Sequence, residues 1–312
     1  MRSPVLFVIF KREDTTRQVF QRIREAQPPR LYIAADGPRA DRPDEIAKCE
    51  ATRKLVENVD WPCEVHRLYQ DKNLGCGKGV SSAITWFFEH EEEGIIIEDD
   101  ILPHMDFFRY CDEMLERYRN TPQVKCICGS NAFYEDVKYA YSYYFSHYMF
   151  VWGWATWRRT WNEYDFMLKS MTRESFVNKI NPFPIKKGSK ALAIALFDKM
   201  TSDDPIDTWD YQLVFSIWNH GGLNIVPISN LCKNIGFATE EAAHTTEHNE
   251  HIENHETRSC YPLIHPIAIK ESKKLERITF ADFYLPQPSL LERLRGYAGR
   301  MKAKIIRIIR HS

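Results

Sequence analysis

The sequence predicts an α/β protein built on a mostly parallel sheet with helices on both faces, and three observations predict it. Short apolar runs alternate with helix-length stretches through the first hundred residues. The runs are apolar throughout rather than alternating, as in strands covered on both faces. Polar groups collect directly after them, at Lys11-Arg12, Asp36-Gly37 and Glu98-Asp99-Asp100, where open α/β sheets bind ligands at the carboxyl ends of strands.

Taken in order, Val5 to Phe10 reads as a strand and Thr15 to Ala26 as a helix. Leu31 to Ala35 is a second strand, ending at Asp36-Gly37-Pro38, and residues 43–58 form a second helix. Cys63 to Tyr69 supplies a third strand, Lys78 to His90 a helix, and Gly94 to Ile97 the strand that delivers three consecutive acids. Beyond residue 130 the alternation gives way to an aromatic stretch, Tyr139 through Trp161. Helical segments then run to about residue 220, followed by a short strand, Leu223 to Pro227. Pro286-Gln-Pro288 ends the globular body. The expected organisation is one body over residues 1–285, with a ligand-binding half (1–135) and a second half (136–285), and a separate tail over 286–312.

At 312 residues the chain can bury a substantial core. Its eight cysteines form no CxxC pair, which fits free thiols in a reducing compartment. The opening apolar run, Val5 to Phe10, is too short for a signal or spanning helix and points to a cytoplasmic protein. Net charge is −1, but residues 289–312 carry +6, leaving the rest at −7.

Three acids at the end of a buried strand call for a cation, and hard oxygen ligands suit Mg²⁺ or Mn²⁺, which bind through one or two carboxylates plus substrate phosphates. Alternation along the chain sets Glu98 and Asp100 on one side and Asp99 on the other, and Asp100 is assigned to the metal. Leu74-Gly-Cys-Gly-Lys78-Gly79 precedes a helix, so its N–H groups and Lys78 are placed to meet anionic oxygen, or it is simply a turn. It is not a Walker loop, because Gly79 stands where Ser or Thr is required. His244, His248, His251 and His255 recur at helical spacing, a pattern that suits zinc or a solvated His-rich helix.

The segment GIIIEDDILPHMDFFRYCDEMLERY resembles the metal-binding segment of GT-A glycosyltransferases, nearest to N-acetylglucosaminyltransferase I of the Golgi and related bacterial nucleotide-diphospho-sugar transferases. Further stretches fit in chain order over roughly residues 4–245: Phe10-Lys11-Arg12, Ala35-Asp36-Gly37, Ser130-Asn131, Trp152-Gly153-Trp154 and Trp209-Asp210. The resemblance implies a metal-dependent, inverting transfer of a sugar from a nucleotide diphosphate, a UDP-sugar, to a hydroxyl of a glycan or lipid-linked glycan. It implies that Phe10, Arg12, Asp36, Glu98, Asp99 and Trp154 hold the nucleotide-sugar, with Lys78 joining them from the turn before its helix. Arg12 offers a multi-donor fork and Asp36 an acceptor for the uracil N–H. Asp100 is implied as metal ligand and Asp210 as the base, while His244 lies in a loop that closes on the diphosphate and joins Asp100 at the Mn²⁺ or Mg²⁺.

Two other classes compete. A sugar-nucleotide nucleotidyltransferase would show a Gly-rich loop after the first strand, where this chain has Lys11-Arg12-Glu13-Asp14. A zinc hydrolase would rest on the run from His244 to His255. In the tail, Leu290, Leu291, Leu294, Ala298, Met301, Ile305, Ile308 and Ile309 form a helical stripe, with Arg293, Arg300, Lys304 and Arg307 on another face. Such a helix suits an anionic membrane surface, peripherally on the inner face of the plasma membrane. Nucleic-acid binding is set aside, because the basic residues are terminal and the body is acidic.

Overall fold

The computed structural model describes residues 1–131, 137–185, 187–236 and 255–283. Eight strands form one sheet: β1 (Val5–Ile9), β2 (Arg30–Ala35), β3 (Glu64–Tyr69), β4 (Glu93–Glu98), β6 (Val124–Cys128), β7 (Tyr143–Ser146), β8 (Trp154–Trp157) and β9 (Leu223–Pro227). Their spatial order is β3-β2-β1-β4-β8-β6-β9-β7. The β3-β2-β1-β4 half is parallel throughout, and β8 enters antiparallel between β4 and β6. A two-stranded ribbon, β5 (Ile101–Pro103) with β10 (Cys232–Asn234), stands apart and fastens the chain just after the three acids.

Period-two alternation sends successive side chains of each strand into two different cores. Leu6, Tyr32, Ala34 and Ile96 pack on one face against α3 (Gly75–His90), α6 (Arg173–Ile180), α7 (Lys187–Met200) and α8 (Asp210–His220). Val5, Phe7, Ile33 and Ile97 pack on the other against α1 (Glu13–Ala26) and α4 (Met105–Tyr118). Burial on both faces explains why these strands read as continuous apolar runs. The helices α2 (Asp44–Leu55), α5 (Arg158–Trp161) and α9 (Lys273–Phe283) complete the layers. Helix α9 clasps the β7 edge: buried Glu276 accepts from the His147 N–H (2.6 Å) and ring (2.8 Å), and Tyr144 and Thr279 share a hydroxyl bond (2.8 Å).

The expected α/β architecture with its mostly parallel sheet is present. All eight cysteines are free thiols. No helix of the described residues is long and apolar enough to cross a membrane. The basic tail, His244, His248 and His251 lie outside the described residues.

Candidate active site

Adjacent parallel strands set the polar residues side by side. Ile9 pairs with Ala35 and Val8 with Glu98, so the chain leaves β1, β2 and β4 at one edge as Phe10 to Arg12, Asp36, and Glu98 to Asp100. The crevice opens where the strand order reverses about β1, the usual ligand position in such sheets.

Two cavities meet there. The first, about 300 Å³, is floored by Val8, Ile9 and Ala34 and ringed by Phe10, Arg12, Asp36, Arg39, Gln70 and Asn73. The second, about 430 Å³, holds Asp210 and is walled by residues 149–152, α7 and α8. Arg12, Cys76, Glu98 and Asp100 line both.

Arg12 lies on the acids, bonded to the Asp100 carboxylate and 3.5 Å from Asp99. Burial opposes its charge, but Asp99 and Asp100 outweigh burial and raise its pKa. Asp99 also accepts from the Phe10 N–H at 2.9 Å, tying the ends of β1 and β4 together. Burial first, then the charges of Asp100, Asp99 and Asp210, push the Glu98 carboxyl up from the usual carboxylate range. Burial and the carboxylates of Glu98, Asp210 and Asp207 likewise push up the Cys76 thiol, which stays protonated at neutral pH. Gly236 packs so closely that a β-carbon there would come within 2.6 Å of Asp100 and 2.9 Å of Arg12.

The donor set suits a hard divalent cation. Among the described residues no three His, Cys, Asp or Glu side chains converge as a ready-made cage. Glu98 and Asp100, crowded by like charge, nonetheless match the way Mg²⁺ and Mn²⁺ bind with phosphates, through one or two carboxylates.

Asp36 borders the first cavity, and most of its acceptor capacity is used within the protein. It takes three donors, Gly37 N–H (2.9 Å), Leu74 N–H shared over both oxygens (2.9 and 3.1 Å) and Asn73 Nδ2 (2.8 Å). Burial pushes its pKa up against the pull of these bonds. Asp36 therefore orients Asn73 and the start of α3, and the polar side chains beside it, Arg39, Gln70 and Asn73, were not anticipated. Gln70 follows β3 at the same sheet edge, which was the available signal.

Three expectations need correction. Trp154 does not border either cavity: it is buried in β8 and stacks on Trp209 at 5.6 Å, while Trp152 and Trp209 are the indoles facing the second cavity. Lys78 is exposed on α3 and lines neither cavity. The N–H groups at the start of α3 are bound by protein: Asp207 accepts from Cys76 (3.0 Å) and Gly77 (2.9 Å), a contact missed in a motif read only for Asp210.

Asp210 opens α8. Its Oδ1 accepts from the Thr208 hydroxyl (2.5 Å) and the Tyr211 N–H (2.9 Å), and among the described residues no hydrogen bond reaches its Oδ2. The turn before it is pinned by Gln212 on Thr208 O (2.8 Å) and by the Tyr164 hydroxyl on Trp209 O (3.1 Å).

No protein-family model matches the sequence, and a search of curated proteins finds no match. Among solved structures, three are distantly similar over part of this chain. Mouse xyloside xylosyltransferase 1 is 12% identical, covering 72% of this chain and 85% of that one, at a TM-score of 0.36. UDP-glucose pyrophosphorylase complexed with UDP-glucose is 10% identical, covering 52% and 79%, at 0.34. HddC from Yersinia pseudotuberculosis is 9% identical, covering 52% and 80%, at 0.32. Similarity this distant decides nothing about activity, which is argued from the site.

Proposed function

We propose that the protein is a metal-dependent, inverting glycosyltransferase that moves a sugar from a UDP-sugar to a hydroxyl of a glycan or lipid-linked glycan. The observation that carries this reading is the meeting of a nucleoside-sized cavity with a second one holding Asp210, at a shared wall of Arg12, Glu98 and Asp100.

The nucleoside occupies the first cavity and its phosphates reach the shared wall. Arg12, held through Nη1 by Asp99 and Asp100, presents its remaining guanidinium N–H donors to them. Glu98 and Asp100 would hold Mg²⁺ or Mn²⁺, which supplies Lewis-acid neutralisation of the leaving diphosphate. In the second cavity Asp210 Oδ2 takes the acceptor hydroxyl's proton while Thr208 and Tyr211 fix Oδ1. The acceptor oxygen bonds to the anomeric carbon as the bond from that carbon to the diphosphate breaks. The electron pair leaves with UDP, and attack from the opposite side inverts the centre.

The basic tail adds a peripheral membrane contact in this reading. Removing residues 289–312 releases the protein from anionic liposomes in flotation; unchanged flotation refutes the tail's role.

The test of the function is calorimetric titration with nucleoside diphosphates and UDP-sugars, with and without Mn²⁺. Selective, Mn²⁺-dependent UDP binding is expected. No binding of any nucleotide overturns the reading.

A further inference from the structure

The second cavity is chemically two-ended. Its polar groups, Arg12, Glu98, Asp100, Thr208, Asp210 and Asn234, come from the sheet edge, the start of α8 and the end of β10. Among the described residues most of the other lining is apolar: Met149, Phe150, Val151 and Trp152 from the stretch before β8, Leu192 and Leu196 from α7, and Val214 from α8, with the Cys76 thiol and the Tyr211 ring beside them. Aliphatic side chains form no hydrogen bonds with sugar hydroxyls, whereas an apolar substrate group laid against Leu192, Leu196 and Val214 gains by leaving water.

The apolar end continues into a pit of about 20 Å³ between α7 and α8. Leu192, Leu196, Tyr211 and Val214 line both spaces, and Ala193, Phe215 and Trp218 close the pit. A space this small with only apolar walls holds no well-bonded water. Helix α8 gives the scale. Val214 and Trp218 stand one and two turns beyond Asp210, about 6 Å and about 12 Å along the axis at a rise of ~1.5 Å per residue. An acceptor whose hydroxyl meets Asp210 therefore reaches the pit with a group extending some two helical turns.

We infer that the acceptor carries an apolar group, an alkyl or prenyl-like chain, that lies along Leu192, Leu196 and Val214 and ends in the pit. This deepens the transferase reading and rests on it for the word acceptor. The hydroxyl end is read by Asp210 and the apolar end by burial, so an amphiphile is favoured over a free sugar of the same stereochemistry.

The test uses methyl and octyl glycosides of a panel of monosaccharides, kept below micellar concentration. Binding is followed through the indole fluorescence of Trp152 and Trp209, with UDP titration in parallel. The expected result is octyl glycosides binding at least 10-fold tighter than methyl glycosides. Leu196→Gln and Leu192→Gln, half-buried on α7, should each reduce that preference several-fold with UDP affinity as the folding control. Equal binding of the two glycosides overturns the inference. So does a preference that survives both substitutions. If UDP fails to bind the wild-type protein while the octyl preference holds and falls in the variants, the subsite stands and the transferase reading is refuted.

Discussion

Replacing Asp207 by alanine isolates the contact that joins the two halves of the site. Its carboxylate accepts from the N–H groups of Cys76 and Gly77 at 3.0 and 2.9 Å, capping α3 from a segment 130 residues away. The side chain is exposed, so full charge-assisted bond strengths do not apply, and the capping scale is the better guide. Loss of a helix cap costs about 0.5–2 kcal/mol, and loss of a negative charge at a helix N-terminus adds roughly 0.3–1 kcal/mol. We take about 2 kcal/mol. With an unfolding entropy of ~2.1 cal/mol/K per residue, a chain of about 300 residues loses ~0.6 kcal/mol per degree near Tm, so the expected fall is about 3 °C.

Thermal unfolding followed by circular dichroism measures this directly. Gly77 supplies a second arm, because a β-carbon there would stand 2.8 Å from Thr208 O and 2.9 Å from Asp207 Oδ1. Gly77→Ala must displace the segment that Asp207 holds, so the double variant should be less destabilised than the sum of the singles. Asp210 lies three residues on, and a shift of its turn of even 1 Å lowers transfer by on the order of 100-fold. A Tm for Asp207→Ala within 1 °C of wild type, or strict additivity with Gly77→Ala, would refute the reasoning.

Asp210→Asn removes the proton acceptor and should lower UDP release in the presence of acceptor by about 10²–10⁴-fold while UDP affinity holds; near-normal turnover sinks the assignment. Asp100→Asn should weaken Mn²⁺-dependent UDP binding in calorimetry, and an unchanged isotherm argues against a metal at this carboxylate. Buried Glu45 is bonded to Arg39 and to Lys11 (2.7 Å), and Arg39 first, then Lys11 and the Arg39 N–H, hold its carboxyl down to about 2 against burial. Because the folded pKa lies below the unfolded one, this stabilisation is complete above about pH 4.5 and fades as pH falls toward 2. Glu45→Ala should cost about 3 kcal/mol at pH 7, by stranding buried Lys11, and the gap from wild type should narrow on acidification in denaturant melts. A gap independent of pH would contradict this.

The lining of the first cavity was legible because β1, β2 and β4 are parallel, doubly covered and followed at once by polar residues, so apolar runs and polar breaks marked both strands and crevice. The far wall of the second cavity was not. Strands β7 and β8 are four residues long and lie in an aromatic stretch with no period to read, and β8 pairs with β4 some sixty residues earlier. Trp154 therefore looked like a sugar-facing indole when its register places it in the middle of the sheet. The glycines before α3 were visible, but a sequence does not say whether an external anion or the chain's own Asp207 meets the helix end. Asp36 stands at the strand end as expected, while its bonds from Leu74 and Asn73 depend on a turn nearly forty residues away.

The two cavities draw on different stretches of chain. Among the described residues, and apart from Asp207, the first is lined by residues between Val8 and Asp100, whereas the distinctive walls of the second come from residues 149–152, α7 and the start of α8. In the proposed transferase, substrate preference on the two sides can thus diverge independently: recombination or engineered exchange of α7 would redraw the second cavity without touching the first. Cys76, protonated and common to both spaces, marks the boundary such an exchange must leave intact.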